Sequence, residues 1–309
     1  MLFINHASPV IFGCSGHALT AEERDFFTQH KPLGFILFSR NIKDKPQLKA
    51  LVEDLKSTLD QRDPPILIDQ EGGRVARLSS PEWYHPPSSA ELARGTLEES
   101  KKRVYEAYAQ IAHELREMGI TVDCAPVLDL RVRGADPIMG DRTFSSDPHI
   151  VSELGAAAIR ALQAGGVAPI MKHIPGHGAA TCDSHKTLPI VSLSLKKLRD
   201  HFVPFKENSH CPAAMTAHIV YSAIDPDHPA TQSFSVIHDI IRGEIGFQGF
   251  LLSDDLGMNA LKGTFAERAQ LSLQAGCDAV LHCSGKMDEM VAVMQGVLPY
   301  SPLLKKKAI

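Results

Sequence analysis

The sequence predicts an α/β fold and, within that class, a single-domain (β/α)8 TIM barrel. Short apolar runs alternate with longer segments of helical periodicity, as expected where each strand of a parallel sheet is followed by a helix. Polar residues stand at the ends of most of these runs, where a barrel builds its active site. No linker, block of like charge or low-complexity tract divides the 309 residues, so we expect one domain over residues 1–309.

Eight strands and eight helices are predicted. The strands are Pro9–Gly13, Gly34–Phe38, Ile66–Asp69, Thr121–Val127, Ala168–Lys172, Ala213–His218, Gly249–Ser253 and Ala279–His282. The helices are Thr20–His30, Lys45–Leu59, Glu98–Met118, Ile150–Ala164, Leu195–Asn208, Ser235–Ile245, Phe265–Gln274 and Met287–Val297. Thr20 with Glu23 has the spacing of a capping box, and Gly165 and Gly276 stand where helices commonly end.

The predicted strand ends carry residues that can do chemistry. These residues are Asp69, Asp129, His173, His218, Asp254 and His282. Because the carboxyl ends of barrel strands meet at one face, side chains far apart in sequence can point into the same pocket. The repetition of the pattern, more than any one residue, indicates an active site there.

Composition argues against several classes of partner. Apolar residues make up 44% and charged residues 22% of the chain, which is ordinary for a globular enzyme. A formal charge of −4 provides no basic surface for nucleic acid or membrane. No run approaches the roughly 20 apolar residues of a membrane span. We expect no nucleic-acid or membrane partner, and a monomer.

The cysteines and the N-terminus bear on location. Six cysteines occur without a CxxC pair, and several lie inside apolar runs, so buried reduced thiols are expected. The first residues, MLFINHASPVIFGCSG, lack the charged and long apolar segments of a secretory signal. A cytoplasmic location is the expectation.

Residues 172–189 concentrate titratable groups in a loop. Three histidines, an aspartate and a lysine fall within its first fourteen residues, 172–185, where two glycines and a proline interrupt regular structure. A carboxylate beside a histidine sets its tautomer and basicity, as a proton shuttle near neutral pH requires. Asp183 and His185 are therefore candidates for an acid/base pair.

A second candidate follows the apolar run before residue 254. Asp254 and Asp255 end that run, and a carboxylate at a strand end suits a nucleophile or a general base. Successive strand residues point to opposite faces, so we expect only one of the two to face the pocket. Asp254 is closer to the strand and is predicted as the reacting group, and Asp255 could cap the following helix.

Two further segments could line a sugar site. Asp69-Gln-Glu-Gly-Gly-Arg74 brings carboxylate, amide and guanidinium groups to a glycine turn, and sugar hydroxyls both donate and accept hydrogen bonds. Gly140-Asp-Arg-Thr-Phe144 adds an arginine in a turn, which is a weaker indication.

A metal site competes with these interpretations. His173, His177, Asp183 and His185 could supply nitrogen and oxygen ligands, and the His-x3-His spacing occurs in helical zinc sites. The glycines and proline between the histidines argue against a helix, which removes the geometric meaning of that spacing.

Four motifs in order along the chain resemble glycoside hydrolase family 3. They are Asp69-Gln-Glu-Gly-Gly-Arg-Val-Ala-Arg77, Gly140-Asp-Arg-Thr-Phe, Lys172-His-Ile-Pro-Gly-His-Gly with Asp183-Ser-His185, and Ser253-Asp-Asp-Leu-Gly-Met. The β-N-acetylhexosaminidase branch, the NagZ type, is the most similar part of that family. Thr143 and Gly257 stand where serine is common in relatives.

The resemblance implies a retaining exo-hydrolase, EC 3.2.1.52, that removes terminal non-reducing β-linked N-acetylglucosamine. At the matching positions Asp254 would be the nucleophile and His185 the acid/base, with Asp183 as its partner. The residues that would hold the sugar are Asp69, Arg77, Arg142, Lys172 and His173. Neither a cofactor nor a bound metal is expected.

The resemblance also implies a biological role. Residues 1–309 would form a single catalytic barrel that acts in peptidoglycan recycling in the cytoplasm and releases N-acetylglucosamine from anhydro-muropeptides. Many relatives, including β-glucosidases, take their acid/base carboxylate from a second α/β domain. Only a short tail follows the last predicted helix, so we expect the loop histidine to serve instead.

Other functions stay open at this point. A phosphorylase of the same fold is one, because a neutral histidine, unlike a carboxylate, does not repel an attacking phosphate. A zinc-dependent hydrolase using His173, His177 and His185 is another, and a non-catalytic sugar-binding barrel is a third. The segment Pro81–Ser89, with the one tryptophan, could shape a substrate edge or cover the barrel.

Overall fold

The computed structural model describes residues 7–60, 63–136, 138–180, 182–184 and 187–297. In this part of the chain, eight parallel strands close into a barrel, each pairing with the next and the last with the first. In order they are β1 Ser8–Gly13, β2 Pro32–Leu37, β3 Ile66–Ile68, β4 Val122–Asp123, β5 Ala168–Ile174, β6 Ala213–Thr216, β7 Phe250–Asp255 and β8 Ala279–His282. The predicted (β/α)8 TIM barrel is confirmed.

The helices surround the barrel. They are α1 Ala21–His30, α2 Lys45–Ser57, a short α3 Ser89–Leu92, α4 Leu97–Glu117, α5 Pro148–Ala164, α6 Leu195–Glu207, α7 Phe265–Ala275 and α8 Met287–Val297. A π-type helix, Val236–Glu244, stands between β6 and β7 where a regular helix was predicted. None of these described helices is long and apolar enough to cross a membrane.

Local sequence signals account for several helix ends. Thr20 caps α1, accepting from the Glu23 N–H while the Glu23 carboxylate accepts from the Thr20 N–H, so the predicted capping box is confirmed. Gly276 ends α7 in the left-handed region at φ 118°. Gly165 ends α5 at φ −80°, and the left-handed position falls one residue later, at Gly166.

The fourth strand is shorter than predicted because of a proline. Pro126 has no N–H to donate to a ladder, and pairing beyond Asp123 continues only as a bridge between Val127 and Lys172. The fifth strand, in contrast, runs past Lys172 to Ile174. It therefore carries His173 within the strand.

Strand alternation divides the core into two hydrophobic clusters. In β1, Ile11 belongs to the cluster that fills the barrel, whereas Val10 and Phe12 belong to the cluster between strands and helices. Trp83 is 7% exposed and packs in the outer cluster. The segment around Trp83 therefore covers the barrel, one of the two roles that the sequence left open.

Candidate active site

A cavity of about 190 Å³ opens at the carboxyl ends of the barrel strands. The residues predicted to hold a sugar all line it, namely Asp69, Arg77, Arg142, Lys172 and His173. Asp254, the predicted nucleophile, lines the same cavity. The structure therefore brings these six side chains together from distant parts of the sequence.

Glu71 lies at the centre of a buried cluster of charges beside the cavity. Its carboxylate accepts from Arg142 Nε and Nη2, both at 2.8 Å, in a two-pronged ion pair. The Lys172 ammonium lies 2.7 Å from Glu71 Oε1 and 2.8 Å from Asp69 Oδ1. Glu71 thus fixes the positions of both cations, and Asp69 also holds Lys172. Glu71 was not among the predicted site residues.

Electrostatics keep this cluster ionised. Burial by itself would raise the pKa of Glu71, but Arg142 and Lys172 hold it well below its usual range. Burial likewise opposes the ionised forms of Lys172 and Arg142, yet the neighbouring carboxylates raise the pKa of both. The cluster therefore carries fixed charges at neutral pH.

Asp69 joins the cluster to the rim of the cavity. Its Oδ2 accepts from Arg77 Nη2 at 3.1 Å, and the Arg77 guanidinium lies 5.4 Å from the centre of the Phe38 ring. Burial would raise the pKa of Asp69, but Lys172 and Arg77 lower it. Its carboxylate is therefore an ionised acceptor for a ligand hydroxyl.

His173 is oriented from behind by a buried carboxylate. Asp129 Oδ2 lies 2.7 Å from His173 Nδ1, and the same carboxylate accepts from the backbone N–H groups of His173 and His177. Burial would raise the pKa of Asp129, but His173 lowers it. Because an ionised Asp129 can only accept, His173 donates through Nδ1 and keeps Nε2 for another partner.

Both carboxylates at the end of β7 line the cavity, so the expectation that only one would face it is wrong. Asp254 Oδ1 accepts from the Asp255 N–H at 2.8 Å. Asp255 Oδ1 accepts from the N–H groups of Gly257 and Cys283 at 2.9 and 3.0 Å. Asp255 therefore ties the turn after β7 to the end of β8. It does not cap the next helix, which Thr264 caps.

The loop after β5 places two more polar side chains near these groups. His177 and Ser184 are each 3% exposed and line the cavity, and His177 Nε2 lies 3.2 Å from Ser184 Oγ. Burial and the neighbouring His173 lower the pKa of His177 to about 4. Asp183 precedes Ser184 and is partly exposed. His185 lies outside the described residues, so its pairing with Asp183 stays a prediction.

Three of the six polar strand ends do not line the cavity. His282 packs edge-on against the rings of Phe12 and Phe265 at 6.3 and 5.0 Å. His218 lies 2.7 Å from Thr231 Oγ1 and 3.0 Å from the Asp255 carbonyl oxygen, and Asp129 binds His173 as above. The strand-end pattern thus found the right face of the barrel but not the direction of every side chain.

His173 and His177 are each already engaged with a protein group through one ring nitrogen. Within the residues that the structure describes, no three His, Cys, Asp or Glu side chains form a group that could hold a metal ion. All six cysteines are free thiols, four buried and two partly exposed.

Residues 10–301 match the family described as the N-terminal domain of glycosyl hydrolase family 3. The chain belongs to glycosyl hydrolase family 3. The resemblance drawn from the four motifs is therefore confirmed, and this family 3 chain is a glycoside hydrolase.

Named relatives are similar over nearly the whole chain. A β-hexosaminidase of Alkalilimnicola ehrlichii is 38% identical over 285 residues, which is 89% of this chain and 80% of that protein. The crystal structure of native NagZ from Neisseria gonorrhoeae superposes with a TM-score of 0.86 at 32% identity, covering 98% of this chain and 91% of that one.

A longer relative shares the same barrel. The glycoside hydrolase family 3 β-N-acetylglucosaminidase of a Paenibacillus species superposes with a TM-score of 0.89 at 33% identity. The match covers 97% of this family 3 chain but only 58% of that protein.

Sequence reasoning missed three contributors to the site. Glu71 lay inside a quoted motif, and Asp129 was among the polar strand ends, but neither was assigned a role. Ser184 lay between the two members of the predicted acid/base pair. In each case the residue was part of a recognised pattern, but the contact that defines its role appears only in the structure.

Proposed function

We propose that the chain is a retaining exo-β-N-acetylglucosaminidase that removes terminal non-reducing β-linked N-acetylglucosamine. The observation that carries the proposal is the meeting of the Asp254 carboxylate with the charged cluster of Asp69, Lys172 and Arg142 in one cavity. Membership of family 3 and the β-hexosaminidase relatives support the substrate class.

The cluster is suited to hold a sugar ring by its hydroxyl groups. Asp69 offers carboxylate oxygens, Lys172 and Arg77 offer N–H donors, and His173 offers a ring nitrogen whose partner Asp129 fixes its orientation. Because Glu71 and Asp69 already position the cations, little reorganisation is needed when a sugar binds. The sugar then lies with its anomeric carbon towards Asp254.

In the first chemical step Asp254 attacks the anomeric carbon through an oxocarbenium-like transition state. The glycosidic C–O bond breaks, and the leaving oxygen takes a proton from His185. A covalent glycosyl-Asp254 forms with inversion at the anomeric carbon. Asp183 orients the His185 imidazole and stabilises its protonated form.

In the second step water attacks the same carbon, and its proton passes to His185. The bond to Asp254 breaks, the carboxylate is restored, and a second inversion gives overall retention. A histidine in place of the usual second carboxylate is a departure from most glycosidases. Its removal should therefore affect substrates according to their need for a proton.

We assign the natural substrate to the anhydro-muropeptides of peptidoglycan recycling in the cytoplasm, with residues 1–309 acting as one catalytic domain. The motif resemblance to the NagZ type supports this assignment. The six free thiols are compatible with a reducing compartment. A product assay on anhydro-disaccharide peptide beside chitobiose tests it, and faster cleavage of chitobiose would contradict it.

The central test replaces Asp254 by asparagine, which is similar in size but far less nucleophilic. We expect the rate on an aryl N-acetylglucosaminide to fall by at least about a thousandfold, with an unchanged melting temperature. Near-wild-type turnover by this variant would reject the assignment of the nucleophile.

The same substrate separates the alternative activities. In phosphate buffer a hydrolase releases free N-acetylglucosamine, whereas a phosphorylase releases the sugar 1-phosphate. Activity that survives a chelator is expected here, and its loss with recovery on adding zinc would favour the zinc-dependent alternative.

A further inference from the structure

The loop that follows β5 has a rigid start. The His177 N–H donates to Asp129 Oδ1 at 2.5 Å, which fixes the backbone to the carboxylate that orients His173. A Cβ on Gly178 would lie 1.9 Å from the Leu130 carbonyl oxygen, so the chain packs there with no room for a side chain. The backbone at His177 is therefore fixed in place.

The later part of the loop contacts His177 through Ser184. Ser184 is 3% exposed, and its Oγ lies 3.2 Å from His177 Nε2. The Thr187 N–H donates to the Asp183 carbonyl oxygen at 3.1 Å, which closes a turn around Ser184. Asp183 is partly exposed and Thr187 is exposed, so Ser184 connects this turn to a fixed point in the cavity.

Ser184 stands between the two members of the proposed acid/base pair. Asp183 and His185, the proposed acid/base pair, flank Ser184 directly. A hydrogen bond between Ser184 and His177 limits the positions that both neighbours can take. We propose that Ser184 and His177 act together as positioning residues that hold the acid/base segment in register with the cavity, an inference that rests on the proposed function.

The charge state of His177 suits that task. Burial and the neighbouring His173 lower the pKa of His177, against the opposing effect of Asp129, and keep the imidazole neutral near pH 7. The Ser184–His177 contact is therefore a hydrogen bond between neutral groups near pH 7.

The test compares kcat/KM on two N-acetylglucosaminides, because this ratio reports the step in which the leaving group departs. A 2,4-dinitrophenyl leaving group needs no proton, whereas a methyl leaving group does. For Ser184→Ala we expect a loss of about 10-fold or more on the methyl glycoside and under about threefold on the dinitrophenyl glycoside. His177→Leu should give the same pattern.

Three further variants show whether the pair acts as a unit. The double variant Ser184→Ala/His177→Leu should be no worse than either single one, since residues that work together are not additive. Ser184→Thr and His177→Gln keep a hydrogen-bonding group and should recover most of the methyl-glycoside rate. These two also serve if the apolar variants fail to fold.

Controls separate this inference from the proposed function. Ser272→Ala removes an equally buried hydroxyl, bonded within α7 to the Arg268 carbonyl oxygen, and should leave the ratio of the two rates unchanged. In the same assay, His185→Ala should lower kcat/KM mainly on the methyl glycoside. Equal losses for His185→Ala would reject the proposed acid/base role, and the inference with it.

If His185→Ala is selective, the outcome for Ser184→Ala decides the inference alone. Equal losses on both glycosides, or no loss on either, would overturn the positioning role while leaving the proposed function in place. Additive losses in the double variant would also overturn it, because the two residues would then act separately.

Discussion

Replacing Glu71 by glutamine removes the charge at the centre of the buried cluster while keeping the size of the side chain. The carboxylate meets Arg142 through both oxygens at 2.8 Å and lies 2.7 Å from the Lys172 ammonium. The glutamine amide has one acceptor oxygen, and its NH2 group takes the place of the second. That NH2 group would face Arg142 or Lys172, which are themselves donors only and cannot accept its hydrogens. Breaking a buried ion pair costs about 3–5 kcal/mol. Lys172 keeps Asp69 at 2.8 Å, so we expect about 3 kcal/mol at pH 7.

This deficit should shrink in acid. Burial opposes ionisation of Glu71, but Arg142 and Lys172 hold its pKa well below the usual range, whereas a glutamate in the unfolded chain titrates near about 4.3. The stabilisation is therefore complete above about pH 5 and is lost as the pH falls towards the lowered folded value. At pH 3.5 the difference between the two proteins should be about 1 kcal/mol smaller than at pH 7.

Urea unfolding at the two pH values, followed by the fluorescence of Trp83, measures both quantities. Glu117→Gln is the matched control, because Glu117 also contacts two lysines, Lys45 and Lys49, but on the exposed surface. The control should unfold like the wild type. A Glu71→Gln variant as stable as the wild type at pH 7, or a deficit that does not change with pH, would refute the reasoning.

Three other substitutions probe the surroundings of the cavity. Burial raises the pKa of Asp123, so Asp123→Asn should raise the free energy of unfolding at pH 7, and this gain should fall away towards pH 4. Gly178→Ala should destabilise by about 1–3 kcal/mol, since its Cβ would meet the Leu130 carbonyl oxygen, whereas Gly16→Ala, with open space around it, should not. Because the pKa of His177 is lowered to about 4, the wild type should lose stability as the pH falls from about 6.5, and His177→Gln should lose less by up to about 3 kcal/mol. Urea midpoints across pH 4–7 check all three.

Much of the barrel is predictable because its signals are local. The capping box of α1 and the glycine after α7 lie within a few residues of the ends they define. The length of β4 was overestimated because the prediction weighed apolar character above the missing N–H of Pro126. The π-type helix at Val236–Glu244 has the apolar periodicity of an ordinary helix, so the sequence pattern does not distinguish the two.

Side-chain direction at the strand ends follows from strand alternation. Leu281 belongs to the barrel interior, so the next interior position is Cys283, which lines the cavity, and His282 points outwards. Counting two residues on from the interior residue Leu252 likewise gives Asp254. Applied strand by strand, this count would have excluded His282 from the site. Asp255 is an exception to strand alternation, because the pairing of β7 with β8 is irregular there.

The ion-pair partners lie beyond such local reasoning. Glu71 meets Arg142 across 71 residues, and Asp69 meets Lys172 across 103. Which carboxylate reaches which cation depends on where two loops come together, and charge alone fits several pairings. The motifs therefore identified the participants, while only coordinates could assign Glu71 its central place.

Stability by itself does not account for this cluster. A buried ion pair is often no more stabilising than well-packed apolar residues of the same size, because both charges must be taken out of water. Here the charges are gathered at the mouth of the barrel, where Lys172 and Arg142 are fixed by Glu71 and line the cavity. Apolar replacements could fold as well, but they would leave nothing to bind a sugar hydroxyl. We propose instead that the cluster is a binding surface whose charges compensate one another, so that the fold can hold them there.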